Sequence, residues 1–124
     1  VAFTRLVPIL LVGDLPAERD FYLRIGFSLT YQGPEFPDFV AVGDGPVEFG
    51  LERRIGFDCG LPDQVVTWQI GVSDIDEVAA RLTAAGAEFT EERIKPRDDW
   101  SYRLLHTRTP NGYRLILEGD REDA

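Results

Sequence analysis

The sequence predicts an α+β protein in which one βαβββ unit is written twice. Three observations carry this expectation. "VGDL" (12–15) is echoed by "VSDI" (72–75), sixty residues further on. In each copy an aspartate, Asp14 or Asp74, stands where a helix would begin. In each copy a glycine, Gly26 or Gly86, then closes the helical pattern before three short strand candidates.

The elements follow in order. Each copy opens on a β-rich run, "RLVPILLV" in the first and "QVVTWQIGV" in the second. The aspartate that follows suits an N-cap, because its carboxylate accepts orphan N–H groups of the first turn. Pro16 fits an early helical position, and Asp74-x-x-Glu77 resembles a capping box. Helical spacing then links Phe21, Tyr22 and Ile25 in copy one, and Ile75, Val78, Ala79 and Leu82 in copy two. The glycines come where a helix end favours a left-handed residue. The strand candidates are Phe27–Tyr31, Phe39–Val42 and Val47–Glu52, with "GDG" (43–45) as a tight turn. Their counterparts are Glu88–Glu92, Arg103–Thr107 and Tyr113–Glu118, with Asn111-Gly112 as the last turn. The first module is therefore expected over 1–52 and the second over 64–119. "RRIGFDCGLPD" (53–63) reads as a linker and 120–124 as an acidic tail.

A chain of 124 residues, 44% hydrophobic, is long enough to bury one domain core. The net charge of −9 repels phosphate backbones, so nucleic acid is not expected as a partner. The same field draws a cationic small molecule, or it serves solubility alone. No run approaches the roughly 20 apolar residues of a membrane span. "VAFTRLVPILLVGD" reads as a first strand rather than a secretory signal, so a cytoplasmic location is expected. Cys59 is the single cysteine and His106 the single histidine, so no His/Cys metal cluster is expected within the chain.

Candidate binding residues stand out by being aromatic in charged surroundings. "QGPEFPDF" (32–39) sets Phe36 and Phe39 among prolines and acids, and prolines lower the entropy cost of presenting a ring. "RIKPRDDWSYR" (93–103) does the same for Trp100 and Tyr102. These rings either meet a flat ligand or plug the protein's own surfaces. Strand alternation puts Glu48 and Glu52 on one face, and Arg114, Ile116 and Glu118 on another. Either Glu–Arg pairing or ligand contact accounts for those charges. Trp68, of opposite parity to Thr67 and Gln69, is expected to pack under a helix or at a dimer seam. His106 is expected to be a packed or hydrogen-bonded strand histidine.

Together, "VPILLVGDLPAERDFYLRIGF" (7–27), "VSDIDEVAARLTAAGAEF" (72–89), "DDWSYRL" (98–104) and "TPNGYRLILE" (109–118) resemble the vicinal oxygen chelate superfamily. That superfamily holds glyoxalase I, extradiol dioxygenases and bleomycin-resistance proteins. The resemblance implies two βαβββ modules curling into a half-open β cup, often with modules exchanged between two chains of a homodimer. It also implies a metal-ligand position on each of four strands. These fall on Val7, Thr67 and Ile116, with Glu48 or Glu52 as the fourth, and three of the four cannot ligate as His or Glu would. No metal or other cofactor is therefore expected. The pattern is most similar to the metal-free antibiotic-binding branch. Carried over from that branch, ligand-lining positions fall on Tyr31, Phe39, Glu52, Gln69, Trp100 and Gly112.

Two readings of function stay open. One is a homodimeric, non-catalytic protein that sequesters a bulky, partly aromatic antibiotic or similar natural product. The other is a metal-free isomerase, cyclase or lyase using Glu48 or Glu52 as general base. A metal enzyme with displaced ligands is a weaker third.

Overall fold

The computed structural model describes residues 1–54 and 66–124. The chain divides into two compact units, Val1–Cys59 and Gly60–Ala124. Of the expected linker, Arg53 closes a strand, while residues 55–63, Cys59 among them, lie outside the described residues.

The first unit runs β1 (Ile9–Val12), α1 (Leu15–Ile25), β2 (Ser28–Tyr31), β3 (Phe39–Asp44) and β4 (Val47–Arg53). Its sheet has the order β1-β4-β3-β2, with β1 parallel to β4 and the other pairs antiparallel. The Asp14 carboxylate caps α1 by accepting the Ala17 N–H at 3.1 Å, and Pro16 takes an early position. Gly26 ends the helix at φ 125°, a backbone state that a side chain would strain. Leu10, Val12, Val40, Val42, Phe49 and Leu51 share one sheet face and are buried with Leu15, Phe21, Tyr22 and Ile25 of α1. Glu18 is fully buried on the same helix, which the apolar spacing did not anticipate. The hairpin turn is Gly45-Pro46, because Asp44 pairs with Val47, so Gly43 and Asp44 belong to β3 rather than to the expected "GDG" turn. A two-residue turn that matches strand twist needs positive φ at its first position, and Gly45 has φ 58°.

The second unit repeats the order: β5 (Thr67–Gly71), α2 (Ile75–Ala84), β6 (Phe89–Arg97), β7 (Trp100–Arg108), β8 (Arg114–Glu118), then β9 (Glu122–Asp123). The sheet order is β5-β8-β7-β6, with β9 added to β7. Asp74 caps α2 through the Glu77 N–H at 3.0 Å, whereas the Glu77 carboxylate bonds to Arg81 one turn on. Replacing either capping aspartate by alanine is expected to cost about 1 kcal/mol, read from urea unfolding. No helix among the described residues is long and apolar enough to cross a membrane.

Three differences from the sequence expectation affect the site. Strands β6 and β7 run far beyond Glu88–Glu92 and Arg103–Thr107, so Trp100 and Tyr102 stand on a strand, not in a loop before it. The charged stretch is ordered by cross-strand pairing, with Pro96 accommodated where the register shifts between Ile94 and Arg97. The last turn is centred on Pro110-Asn111 and closed by the Gly112 N–H to the Thr109 carbonyl at 2.8 Å. The expected acidic tail contains a strand: Glu122 and Asp123 pair with Ser101 and Trp100.

Arg103 ties this unit together. Its guanidinium reaches Asp76 of α2 at 2.9 Å, Glu91 of β6 at 3.2 Å and Glu122 of β9 at 3.0 Å. The Arg103 hydrogen bond and charge hold the Asp76 carboxyl below its ordinary 3.8. A carboxyl depressed on folding contributes stability that is present above its unfolded value and is lost as pH falls through the folded one. An acid titration should therefore show the Asp76–Arg103 contribution intact above pH 3.8 and fading below it. Asp76→Asn should remove that part of the acid limb and leave the neutral-pH midpoint nearly unchanged, as exposed pairs contribute little.

Candidate functional site

In each unit the helix covers one sheet face, and the candidate residues that lie on strands stand on the other, with Phe36 in a loop and Gly112 in a turn. In the first unit, strand register puts Phe39, Ala41 and Gly43 of β3 beside Glu52, Gly50 and Glu48 of β4. Ile9 and Leu11 of β1 complete this face, and Tyr31 pairs with Ala41. The rings form a row: Tyr31 lies 6.2 Å from Phe36 and 6.1 Å from Phe39, centroid to centroid. Phe36 is 61% exposed, and Tyr31 and Phe39 are partly covered. The Tyr31 hydroxyl is buried without a hydrogen-bond partner among the described residues.

The carboxylates of this face are paired within the unit. Glu48 meets Arg5 at 3.4 Å and Glu52 meets Arg54 at 3.5 Å. Both arginines are exposed, so these pairs hold the acids only weakly against a cationic competitor. Glu48 and Arg5 also border a recess of about 470 Å³ at the β3–β4 turn. A larger groove of about 610 Å³ runs between Leu15 and Arg19 of α1 and loop 32–38, with Phe39 and Arg53 in its wall. There the guanidiniums are engaged, Arg53 by Asp38 and Arg19 by Gln32 and Asp20.

In the second unit the face opposite α2 carries Gln69, Ile116 and Glu118, then Leu104, His106 and Tyr102, with Trp100 at the start of β7. The Gln69 amide donates to Glu118 at 2.8 Å. Trp100 and Tyr102 stack at 5.9 Å with 25° between their planes, and the Arg121 guanidinium lies 4.7 Å above Trp100. Trp68 pairs with Leu115 on the helix side, as its parity predicts. His106 lies in mid-strand, with Nε2 held 3.0 Å from Glu92 Oε1. The sequence reading missed that partner, because it comes from the neighbouring strand β6. Gly112, with φ 87°, lies in the β7–β8 turn rather than on the face.

Register also settles which residue of β4 matches Ile116. Ile9 pairs with Gly50 as Gln69 pairs with Ile116, and Leu11 pairs with Glu52 as Gly71 pairs with Glu118. The counterpart of Ile116 is thus Gly50, not Glu48 or Glu52. The repeated "LE" of Leu51-Glu52 and Leu117-Glu118 carried this signal in the sequence. The four positions implied for metal ligands are then Val7, Gly50, Thr67 and Ile116, which offer one neutral hydroxyl between them. A divalent ion needs carboxylate, imidazole or thiolate donors, so these residues do not fit one. Among the described residues, no group of three or more His, Cys, Asp or Glu side chains is placed to hold a metal.

Two βαβββ units, each with one helix-free sheet face, define an α+β architecture. The sequence matches the Glyoxalase/Bleomycin resistance protein/Dioxygenase superfamily over residues 3–117, and the chain belongs to that superfamily. No protein of curated function matches it in sequence. Among solved structures it is similar to TioX from Micromonospora sp. ML1 (22% identity, TM-score 0.72, covering 94% of this chain and 98% of that one). It is also similar to a bleomycin-binding protein complexed with bleomycin (15%, 0.69, 95% and 99%). The fosfomycin resistance protein FosX from Mesorhizobium loti is a third (11%, 0.71, 97% and 94%). At these identities the likeness is one of fold.

Proposed function

We propose that this chain is a non-catalytic binding protein that sequesters a bulky, partly aromatic natural product, an antibiotic or a molecule like one, and so confers resistance. It acts in the cytoplasm as a homodimer with two equivalent clefts at the subunit interface. The observation that carries this reading is the exchange of chemistry on the helix-free faces. Positions that ligate metal in the enzymes hold Val7, Gly50, Thr67 and Ile116, while Tyr31, Phe36, Phe39, Trp100 and Tyr102 supply rings. Glu48, Glu52 and Gln69 supply polar contacts beside them, and Gly112 lets the last turn approach a ligand closely. Ring contacts add roughly 0.5–1.5 kcal/mol each beyond area burial, so two or three of them support micromolar binding or better. The bleomycin-binding protein among the structural neighbours supports the drug-binding part of this reading. Exposed Phe3, Leu6 and Ile9 give a dimer apolar surface to cover.

Calorimetric titration with bleomycin and a panel of aromatic natural products tests this. The expected result is one ligand bound per chain, recovered chemically unchanged from a protein that sediments as a dimer. Conversion of the ligand would overturn it.

One observation favours a second reading. An imidazole held by a carboxylate, as His106 is by Glu92, is the usual setting of a general base. Glu48 and Glu52 are each engaged by an arginine instead. A product whose formation is lost in His106→Asn would select the metal-free enzyme instead.

A further inference from the structure

Gly50 sits in the middle of β4 with no positive φ, so the backbone does not call for glycine there. The Phe39 ring does. A Cβ added at Gly50 would lie 2.6 Å from Phe39 Cε2 and 2.7 Å from Cζ, and 3.3 Å from Ile9 Cγ1. Carbon atoms in good contact stand about 3.5–4.0 Å apart, so the ring occupies the space that any side chain at position 50 would take. Phe39 is diagonal to Gly50 across the β3–β4 ladder, and its ring leans over the glycine onto the sheet.

We infer that Gly50 is a positioning residue: it seats the Phe39 ring against the sheet as a fixed platform for a planar, positively charged aromatic group. The inference rests on the binding reading above and names the ligand chemistry of that face. A ring pressed onto backbone has little freedom left to lose on binding, which lowers the ordering cost. Its outward surface is negative in quadrupole and attracts a cation. Glu52 is the cross-strand partner of Phe39, and Glu48 stands on the other side of Gly50, so carboxylates flank the platform. Their partners Arg5 and Arg54 are 74% and 59% exposed, and a bound cation can replace them at little cost. The net charge of −9 acts in the same direction.

The test is a double-mutant cycle on Gly50→Ala and Phe39→Ala, with two readouts. In thermal unfolding, Gly50→Ala is expected to lower Tm in the wild-type background and to have no adverse effect once Phe39 is alanine. Should Gly50→Ala fail to fold, a folded double variant establishes the same coupling, and an unfolded one overturns it. In fluorescence titration with proflavine, a planar cationic dye, each single variant is expected to weaken binding at least tenfold, and the double variant no more than Phe39→Ala alone.

Equal Tm losses in both backgrounds would overturn the seating of the ring. A Tm loss with unchanged proflavine affinity would reduce Gly50 to a structural role and overturn the positioning claim. A wild type that ignores proflavine would overturn the ligand class. An intact cycle beside a natural-product panel with no binder would leave this inference standing and remove the sequestration reading alone.

Discussion

Phe49→Ala is expected to destabilise the first unit by about 3–5 kcal/mol, the range for removing a buried phenylalanine from a core. Phe49 is 3% exposed and meets Tyr22 edge-to-face at 4.9 Å and Phe27 at 5.5 Å. Tyr22 and Phe27 also touch each other at 5.7 Å, and Phe21 joins at 5.4 Å. Removing Phe49 takes away the common neighbour of Tyr22 on the helix and Phe27 in the segment that follows it. The lost area and the cavity both count, together with the ring-pair contributions. Guanidinium unfolding should show the midpoint moving sharply down, and Phe49→Leu should retain more than half of the lost stability. A loss below 1 kcal/mol for the alanine variant would mean that this cluster is not the core of the unit.

Trp100→Ala carries the second large effect, and it acts on both ligand and fold. On the binding reading, the Trp100–Tyr102 stack is a platform of the second unit, and its removal should weaken an aromatic ligand about 10- to 100-fold, as truncating an aromatic hot spot does. The same change strips the ring from beneath Arg121, the residue before β9, and leaves β9 held by its backbone pairing and the Glu122–Arg103 ion pair. Residues 120–124 should then loosen. The Ala124 N–H, bonded to the Asp99 carbonyl at 2.9 Å, reports this directly by faster hydrogen exchange. Tyr102→Ala keeps Trp100 under Arg121 and should weaken the ligand while protecting that amide. Undiminished ligand affinity in Trp100→Ala would place the platform elsewhere.

Local chemistry explains how much of this molecule was legible beforehand. A capping carboxylate acts on an amide three residues away, and a helix-ending glycine acts on its own φ. Asp14, Asp74, Gly26 and Gly86 therefore announced both helices. Short apolar runs bounded by turn residues announced β3, β4 and β8, whose central residues are buried on both faces. The hairpin β6–β7 was not legible over its full length. Its outer part is charged and largely exposed, so pairing with the neighbouring strand, not burial, makes it a strand.

The sequence alone determined the two-fold repeat and the order of elements up to β8, since each depends on residue type and short-range spacing, while the β4 counterpart of Ile116 waited on strand register. Tertiary structure alone decided which residues share a face and touch. It placed Phe39 over Gly50, Glu92 against His106, and Asp76, Glu91 and Glu122 around Arg103. Such contacts follow from strand register, in which a slip of one residue turns every side chain to the opposite face. Register is set by how whole strands fit together, and no short stretch of chain contains that information.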